Sequence, residues 1–227
     1  MAGNRQNRLS LLENDFCSAF CAYGRDFMGF RGHIVGDIFD TPLIKKAVFM
    51  EQIHSNLVEF YEAQKTKYAC DGLITSEKGV ALCVLSADCL PLLLWHKSGV
   101  VAALHSGRAG TFENILESAV LAMKKQDKSL QNEDFTLIIA PSISAKNYEV
   151  SGEILAFAKA NFNDFVRENR VDLKGIVKSQ ARNLGISDIK DCGICTFDDE
   201  RFFSYRRNHT AQRFASVIVL KNKLARG

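Results

Sequence analysis

Apolar residues come in short, dense runs through the first half of the chain. Residues 16–23, 47–52, 57–61, 80–85, 90–95 and 100–105 are each bounded by polar or turn-forming positions. That length and spacing predict strands rather than helices. From Thr111 the spacing changes. Ile115, Leu116, Ala119, Val120 and Met123 share one face at helical period, which predicts a helix over 111–125 with Thr111 as N-cap and Asn114 in its first turn. A buried strand follows at 135–140, ended by Pro141, then helices at 151–161 and 171–184, the second terminated by Gly185. Residues 213–220 read as a late strand, or a short helix running into one. Strands first and helices later predict an α+β fold of mixed sheets with flanking helices, not a doubly wound parallel sheet.

Two of the runs form a hairpin. Residues 90–95 and 100–104 flank His96-Lys97-Ser98-Gly99, a polar turn ending in glycine. A three-residue loop with Gly99 in the left-handed position closes it and sets Pro91 opposite His105. Cys89 then lies one diagonal step from His105 on the same face, roughly 7–8 Å away between backbones. A two-residue loop would put the two side chains on opposite faces. Pro91 has no N–H for a ladder, so regular pairing breaks beside Cys89 and exposes its thiol. His54 lies upstream in Glu51-Gln52-Ile53-His54-Ser55. Two histidines and one cysteine make a three-ligand set with room for a fourth, as a catalytic zinc site requires.

A chain of 227 residues at 47% hydrophobic content can bury one sizeable core. No linker or repeat divides it, so a single domain over 1–227 is expected. The net charge of +3 comes with scattered Lys and Arg, which argues against nucleic acid as a partner. Asp88 cuts the longest apolar stretch, so no membrane span is expected. Residues 1–8 are polar and lack the apolar core of an export signal. The seven cysteines have no regular spacing and read as reduced thiols of a cytoplasmic protein. Oligomeric state leaves no mark in the sequence.

Several blocks together resemble one family. They are Gln52-Ile53-His54-Ser55, Asp71-Gly72-Leu73-Ile74-Thr75, Ala87-Asp88-Cys89-Leu90-Pro91, His105-Ser106-Gly107 and Tyr148-Glu149-Val150. Cys195-Thr196 and Arg201-Phe202-Phe203-Ser204-Tyr205-Arg206-Arg207 complete the set, which spans residues 16–220. The chain resembles the multicopper polyphenol oxidoreductase (laccase-domain) proteins. Members of that family have also been assigned purine nucleoside phosphorylase and adenosine deaminase activity, and a bacterial branch has been linked to editing of peptidoglycan precursors. The resemblance implies a zinc held by His54, Cys89 and His105, with copper as the lesser alternative. It implies a mixed α/β fold similar to the catalytic domain of cytotoxic necrotising factor toxins. The activity implied is phosphorolysis of adenosine, inosine, guanosine and methylthioadenosine, plus deamination of adenosine, with purine nucleosides and phosphate as partners. The chain departs from the family pattern in three places. Arg108 and Ala109 stand where the family has Trp and Arg, Ala145-Lys146-Asn147 precedes Tyr148, and Asn208 replaces an Asp.

Further residues carry two readings each. Arg25, Arg108, Arg206 and Arg207 either hold phosphate or sit in surface ion pairs. Gln52 and Ser204 either touch substrate or satisfy nearby polar groups. Asp88 either orients a ligand histidine or ends a strand. Cys192-Gly193-Ile194-Cys195 has the spacing of redox or zinc motifs, but no second pair completes a metal site, so packing around a strand is expected. Three other functions compete with a zinc nucleoside enzyme. They are a metal-free Cys–His hydrolase or amidase acting on peptidoglycan precursors, a polyphenol oxidoreductase, and a zinc-stabilised protein without activity. Five histidines are too few for a multicopper centre, and three ligands do not close a structural zinc site.

Overall fold

The computed structural model describes residues 7–222; residues 1–6 and 223–227, and with them most of the polar N-terminal stretch and both ends of the expected domain, lie outside it. The first half of the chain is strands: β1 (Asn7–Glu13), β2 (Cys17–Tyr23), β3 (Ile34–Val35), β4 (Lys46–Phe49), β5 (Val58–Phe60) and β6 (Gly72–Thr75). Then come β7 (Val80–Ser86), β8 (Leu90–His96) and β9 (Val100–Ser106). The helices α1 (Arg108–Phe112) and α2 (Ile115–Gln126) precede β10 (Phe135–Ile139) and α3 (Gly152–Asn161). The remainder is β11 (Val166–Arg167), β12 (Arg170–Val171), α4 (Leu173–Asn183), β13 (Asp188–Asp191), α5 (Tyr205–Asn208) and β14 (Phe214–Leu220).

Two six-stranded mixed sheets carry the fold, in the orders β1-β2-β14-β7-β4-β3 and β13-β10-β8-β9-β6-β5. The architecture is α+β, as the order of elements predicts. The inner faces meet in a core containing Val48, Leu82 and Val84 from the first sheet and Leu73, Leu93, Val101 and Ala103 from the second. The outer face of the second sheet, with Leu92, Leu94, Ala102 and Leu104, is covered by the apolar stripes of α2 and α4. The outer face of the first sheet is covered by the loop between β2 and β4, through Phe27, Phe39 and Ile44. Both sheets are thus buried on both faces, which is why β7, β8 and β9 read as continuous apolar runs without alternation.

The hairpin takes the predicted register. Pro91 pairs with His105 and His96 with Val100, leaving Lys97, Ser98 and Gly99 as the loop. Gly99 has φ +90°. Period two then puts His105 on the inner face with Val101 and Ala103.

Helix starts differ from expectation. Thr111 is not an N-cap: it is buried inside α1, its hydroxyl 2.8 Å from that of Ser106. Asn114 caps α2 instead, accepting from Glu117 N at 3.3 Å with φ 54°. A left-handed Asn makes the sharp break between the two helices, and a short asparagine side chain tolerates that region. Helix α4 begins two residues later than predicted, because Asp172 caps it by accepting from Gly175 N at 2.9 Å. Gly185, at φ +82°, ends it as expected. Six strands escape the hydrophobic pattern, β3, β11 and β12 because each is only two residues long. The edge strands β1 and β13 are largely exposed and polar, and β6 is only four residues long.

Candidate metal centre

Three backbone features converge at one end of the two sheets. His54 lies in the loop after β4 with φ 63°, Cys89 ends the turn joining β7 to β8, and His105 is the second-last residue of β9. Their donor atoms all lie within 4.8 Å of one another. The two imidazole rings meet edge to face, centroids 4.9 Å apart. Cys89 is held by a strained turn. Asp88 has φ 107°, and Ser86 Oγ donates to Cys89 O at 2.5 Å.

Asp71, at the entry to β6, organises this cluster. It is fully buried. One carboxylate oxygen accepts from His105 Nδ1 at 2.8 Å and from His54 N at 3.1 Å. The other accepts from Ser55 N at 2.7 Å, Ser55 Oγ at 2.8 Å and Ile53 N at 3.3 Å. One side chain therefore fixes the loop carrying His54 and the ring of His105. Burial alone would raise this carboxyl, but the hydrogen bonds from His105 and Ser55 outweigh it and hold it at about 2. An ionised carboxylate only accepts, so His105 Nδ1 carries the proton and Nε2 is left for the cluster.

The Cys89 thiol is activated in the same way. Burial pushes it up, yet the charge and hydrogen bond of His105, followed by those of His54, bring it down to about 6. His105 is correspondingly raised: burial opposes this, and Cys89 and Asp71 overcome it. Cys17 and Cys70, which lack such partners, are pushed by burial to about 12. All seven cysteines are free.

The donor set fits a metal. Two imidazoles and a thiolate are ligands zinc takes at about 2.0–2.3 Å in open catalytic sites, and copper also accepts them. Gly107 borders the cluster, where a Cβ would come within 3.2 Å of Cys89 Sγ, 3.6 Å of His54 Cδ2 and 3.7 Å of His105 Cε1. Glycine keeps that space clear. Among the described residues no carboxylate closes the fourth position. Asp71 is fully engaged, and Asp88 accepts from Thr196 Oγ1 at 2.7 Å and Arg206 N at 2.6 Å. Asp88 thus neither orients a histidine nor merely ends a strand: it ties α5 and the segment at Thr196 to the Cys89 turn.

The cluster forms one wall of a cavity of about 310 Å³ that also exposes Arg31, Tyr148, Tyr205, Arg206 and Arg213. Of the residues expected at the site, Arg206 lines this space, with its guanidinium carbon 5.4 Å from the Tyr148 ring centre. Gln52 lines it too, while its amide brackets Leu85 through both N (2.8 Å) and O (2.9 Å). Ser204 is buried and caps α5, accepting from Arg207 N at 3.1 Å. Arg207 is turned to the carbonyls of Thr196, Phe197 and Phe202. Arg25 lies over Phe27 and Phe30, its guanidinium 5.5 and 5.2 Å from their centres, and is absent from the cavity lining. Arg31, Arg213 and Asp71 are site residues that carry no signal of that role in the sequence. Asp71 opens the block Asp71-Gly72-Leu73-Ile74-Thr75 but shows its role only once β6 and β9 pair, where His105 N donates to Asp71 O at 2.7 Å. Cys192 and Cys195 form no disulfide; Cys195 Sγ accepts from Ser144 N and Asn147 Nδ2, both at 3.3 Å.

Comparison with known proteins places this arrangement among relatives. The profile of the family described as multi-copper polyphenol oxidoreductase laccase matches residues 35–221. A protein of Campylobacter jejuni named purine nucleoside phosphorylase is 54% identical over 98% of this chain and 100% of its own length. A Clostridium acetobutylicum protein of the same name is 31% identical over 78% of each chain. A crystal structure of a Neisseria meningitidis protein superposes with a TM-score of 0.75 at 22% identity, covering 95% of this chain and 100% of that one, a likeness of fold.

Proposed function

Since the chain belongs to the multi-copper polyphenol oxidoreductase laccase family, we propose that it is a zinc-dependent purine nucleoside enzyme. It would cleave adenosine, inosine, guanosine and methylthioadenosine with phosphate and deaminate adenosine, in the cytoplasm. The observation carrying this reading is the His54–Cys89–His105 cluster on the wall of a cavity that also presents arginines and tyrosines. The name of the Campylobacter relative, alike over its whole length, supports the choice of reaction.

Held by His54, Cys89 and His105, zinc would supply a Lewis acid at the cavity wall. The other roles fall to the chain itself. Asp71 keeps the His105 proton on Nδ1. Arg206 holds the anionic co-substrate against the sugar, and Tyr148 and Tyr205 flank the base. In phosphorolysis a phosphate oxygen bonds to C1′ as the C1′–N9 bond breaks. The electron pair leaves with the purine, which takes up the phosphate's proton. In deamination water adds at C6 and ammonia departs.

Zinc-loaded protein incubated with adenosine and phosphate should yield adenine and ribose 1-phosphate by mass spectrometry, with inosine marking deamination. A Cys89→Ala protein that released adenine at the unmodified rate would sink the assignment. One observation favours a second reading, a thiol hydrolase acting on peptidoglycan precursors: the Cys89 thiol lies within 4.8 Å of a ring nitrogen of His105, whose Nδ1 donates to Asp71, the order of a nucleophile, its base and an orienting acid. Chelation separates the two, since removing metal abolishes a zinc enzyme and leaves a thiol hydrolase active. Polyphenol oxidation by several coppers has less support. Among the described residues this is the one group of three or more metal-ligating side chains, and His96 is bonded instead to Ser98 and Gln131.

A further inference from the structure

Three arginines line the cavity, and among the described residues none makes a direct ion pair. Among the described residues, arginine ion pairs join Arg170 to Glu149 and Glu168, and Arg201 to Asp199; Arg31, Arg206 and Arg213 have no such pair. Each instead donates to backbone carbonyls. Arg31 Nη2 reaches Gln52 O, Arg206 Nη2 reaches Glu149 O at 2.9 Å, and Arg213 Nη1 reaches Thr210 O at 3.0 Å and Gln212 O at 2.8 Å. These bonds orient the planar groups and, among the described residues, leave the remaining donors of each fork without a protein acceptor. Among the described residues Asp88 is the one carboxylate lining the cavity, and both its oxygens are already engaged.

The three charges are not equivalent. Arg206 is tied through its backbone N to Asp88, the neighbour of Cys89, so it belongs to the metal side. Arg31 and Arg213 are joined through one short segment: Phe27 N donates to Arg213 O at 2.8 Å and Arg31 N donates to Met28 O at 3.1 Å. One phosphate carries a charge of about −1.5 to −2, less than three guanidinium groups neutralise. A forked guanidinium pair matches the oxygens of a phosphoryl group.

We infer that this cavity takes a purine nucleoside that itself carries a phosphate ester, a nucleoside 5′-monophosphate, with its phosphoryl group between Arg31 and Arg213 and inorganic phosphate left to Arg206. The purine part rests on the function proposed above; the anionic part rests on the arginines.

Titration calorimetry on the zinc-loaded protein tests it with adenosine, adenosine 5′-monophosphate and inorganic phosphate as probes. The monophosphate should bind about tenfold or more tighter than adenosine, an advantage that shrinks as salt screens the charges. The double variant Arg31→Gln/Arg213→Gln should lose that advantage while its affinity for adenosine stays within about twofold. A melting temperature matching the parent's shows that the variant is folded. Equal affinity for adenosine and its monophosphate overturns the inference, as does an advantage that survives in the variant. Inorganic phosphate binding that the double substitution abolishes, with no preference for the ester, also overturns it by assigning the pair to the free anion. Absence of turnover would count against phosphorolysis, whereas the binding ratio is read independently of turnover.

Discussion

The Cys89 thiol sits between opposing effects. Burial favours the neutral form, and two imidazoles favour the thiolate; the imidazoles win and the thiol falls to about 6. Cys17, by contrast, has burial as its dominant influence and rises to about 12. Reactivity follows the thiolate fraction. In protein stripped of metal by chelator, alkylation of Cys89 by iodoacetamide should rise with pH through a midpoint near 6 and level off above it. Cys17, Cys21, Cys70 and Cys83 should stay unmodified at pH 7.5, since each is fully buried. Adding zinc should protect Cys89. Peptide mapping by mass spectrometry reads all of these at once. A midpoint near the ordinary value of 9.0 would show that the histidines do not act on this sulfur. The activation was only half legible in the sequence. His54, Cys89 and His105 could be named because their types and order carry ligand chemistry. Asp71 could not, because its partners at Ile53, His54, Ser55 and His105 are joined to it only by the folded chain.

At the scale of elements, the hairpin of β8 and β9 carried the most information. Gly99 set the loop length, the loop set the register, and the register set which face His105 occupies. The turn at Asp88 was opaque for the opposite reason. Its conformation is stabilised by Thr196 and Arg206, more than a hundred residues away. Edge strands such as β13 were missed because they bury little and pair through backbone alone. The junction of β9 and α1 permits a clean test of crowding at the centre. Gly107 has φ −70°, which any residue adopts, so Gly107→Ala adds no backbone strain. Its new methyl would stand 3.2 Å from Cys89 Sγ. Zinc affinity measured against a competing chelator should fall about tenfold or more, while unfolding of the metal-free protein shifts by less than about 1 kcal/mol. An unchanged zinc affinity would place the ion away from this edge of the cluster.

Across the whole molecule, the centre sits where the two sheets are joined. His54 follows β4 of the first sheet, His105 belongs to β9 of the second, and Cys89 lies in the turn where the chain passes from β7 to β8, from one sheet to the other. An ion held by all three therefore links the sheets at one end of their shared core. That core is made by apolar side chains alone, with Leu82, Leu93 and Val101 fully buried between the sheets, so the chain should fold without metal. Binding to the native state alone then adds stability by mass action, about 2.7 kcal/mol when free zinc is at 100 times its dissociation constant. For a chain of 227 residues, that corresponds to a rise in melting temperature of roughly 5–11 °C. Calorimetric scans with zinc and with chelator should differ by that amount. Cys89→Ala, which removes the link but little of the core, should melt near the chelated parent and show no response to zinc. A zinc response of full size in Cys89→Ala would mean that the stabilising ion binds elsewhere, and the bridge between the sheets would have to be abandoned.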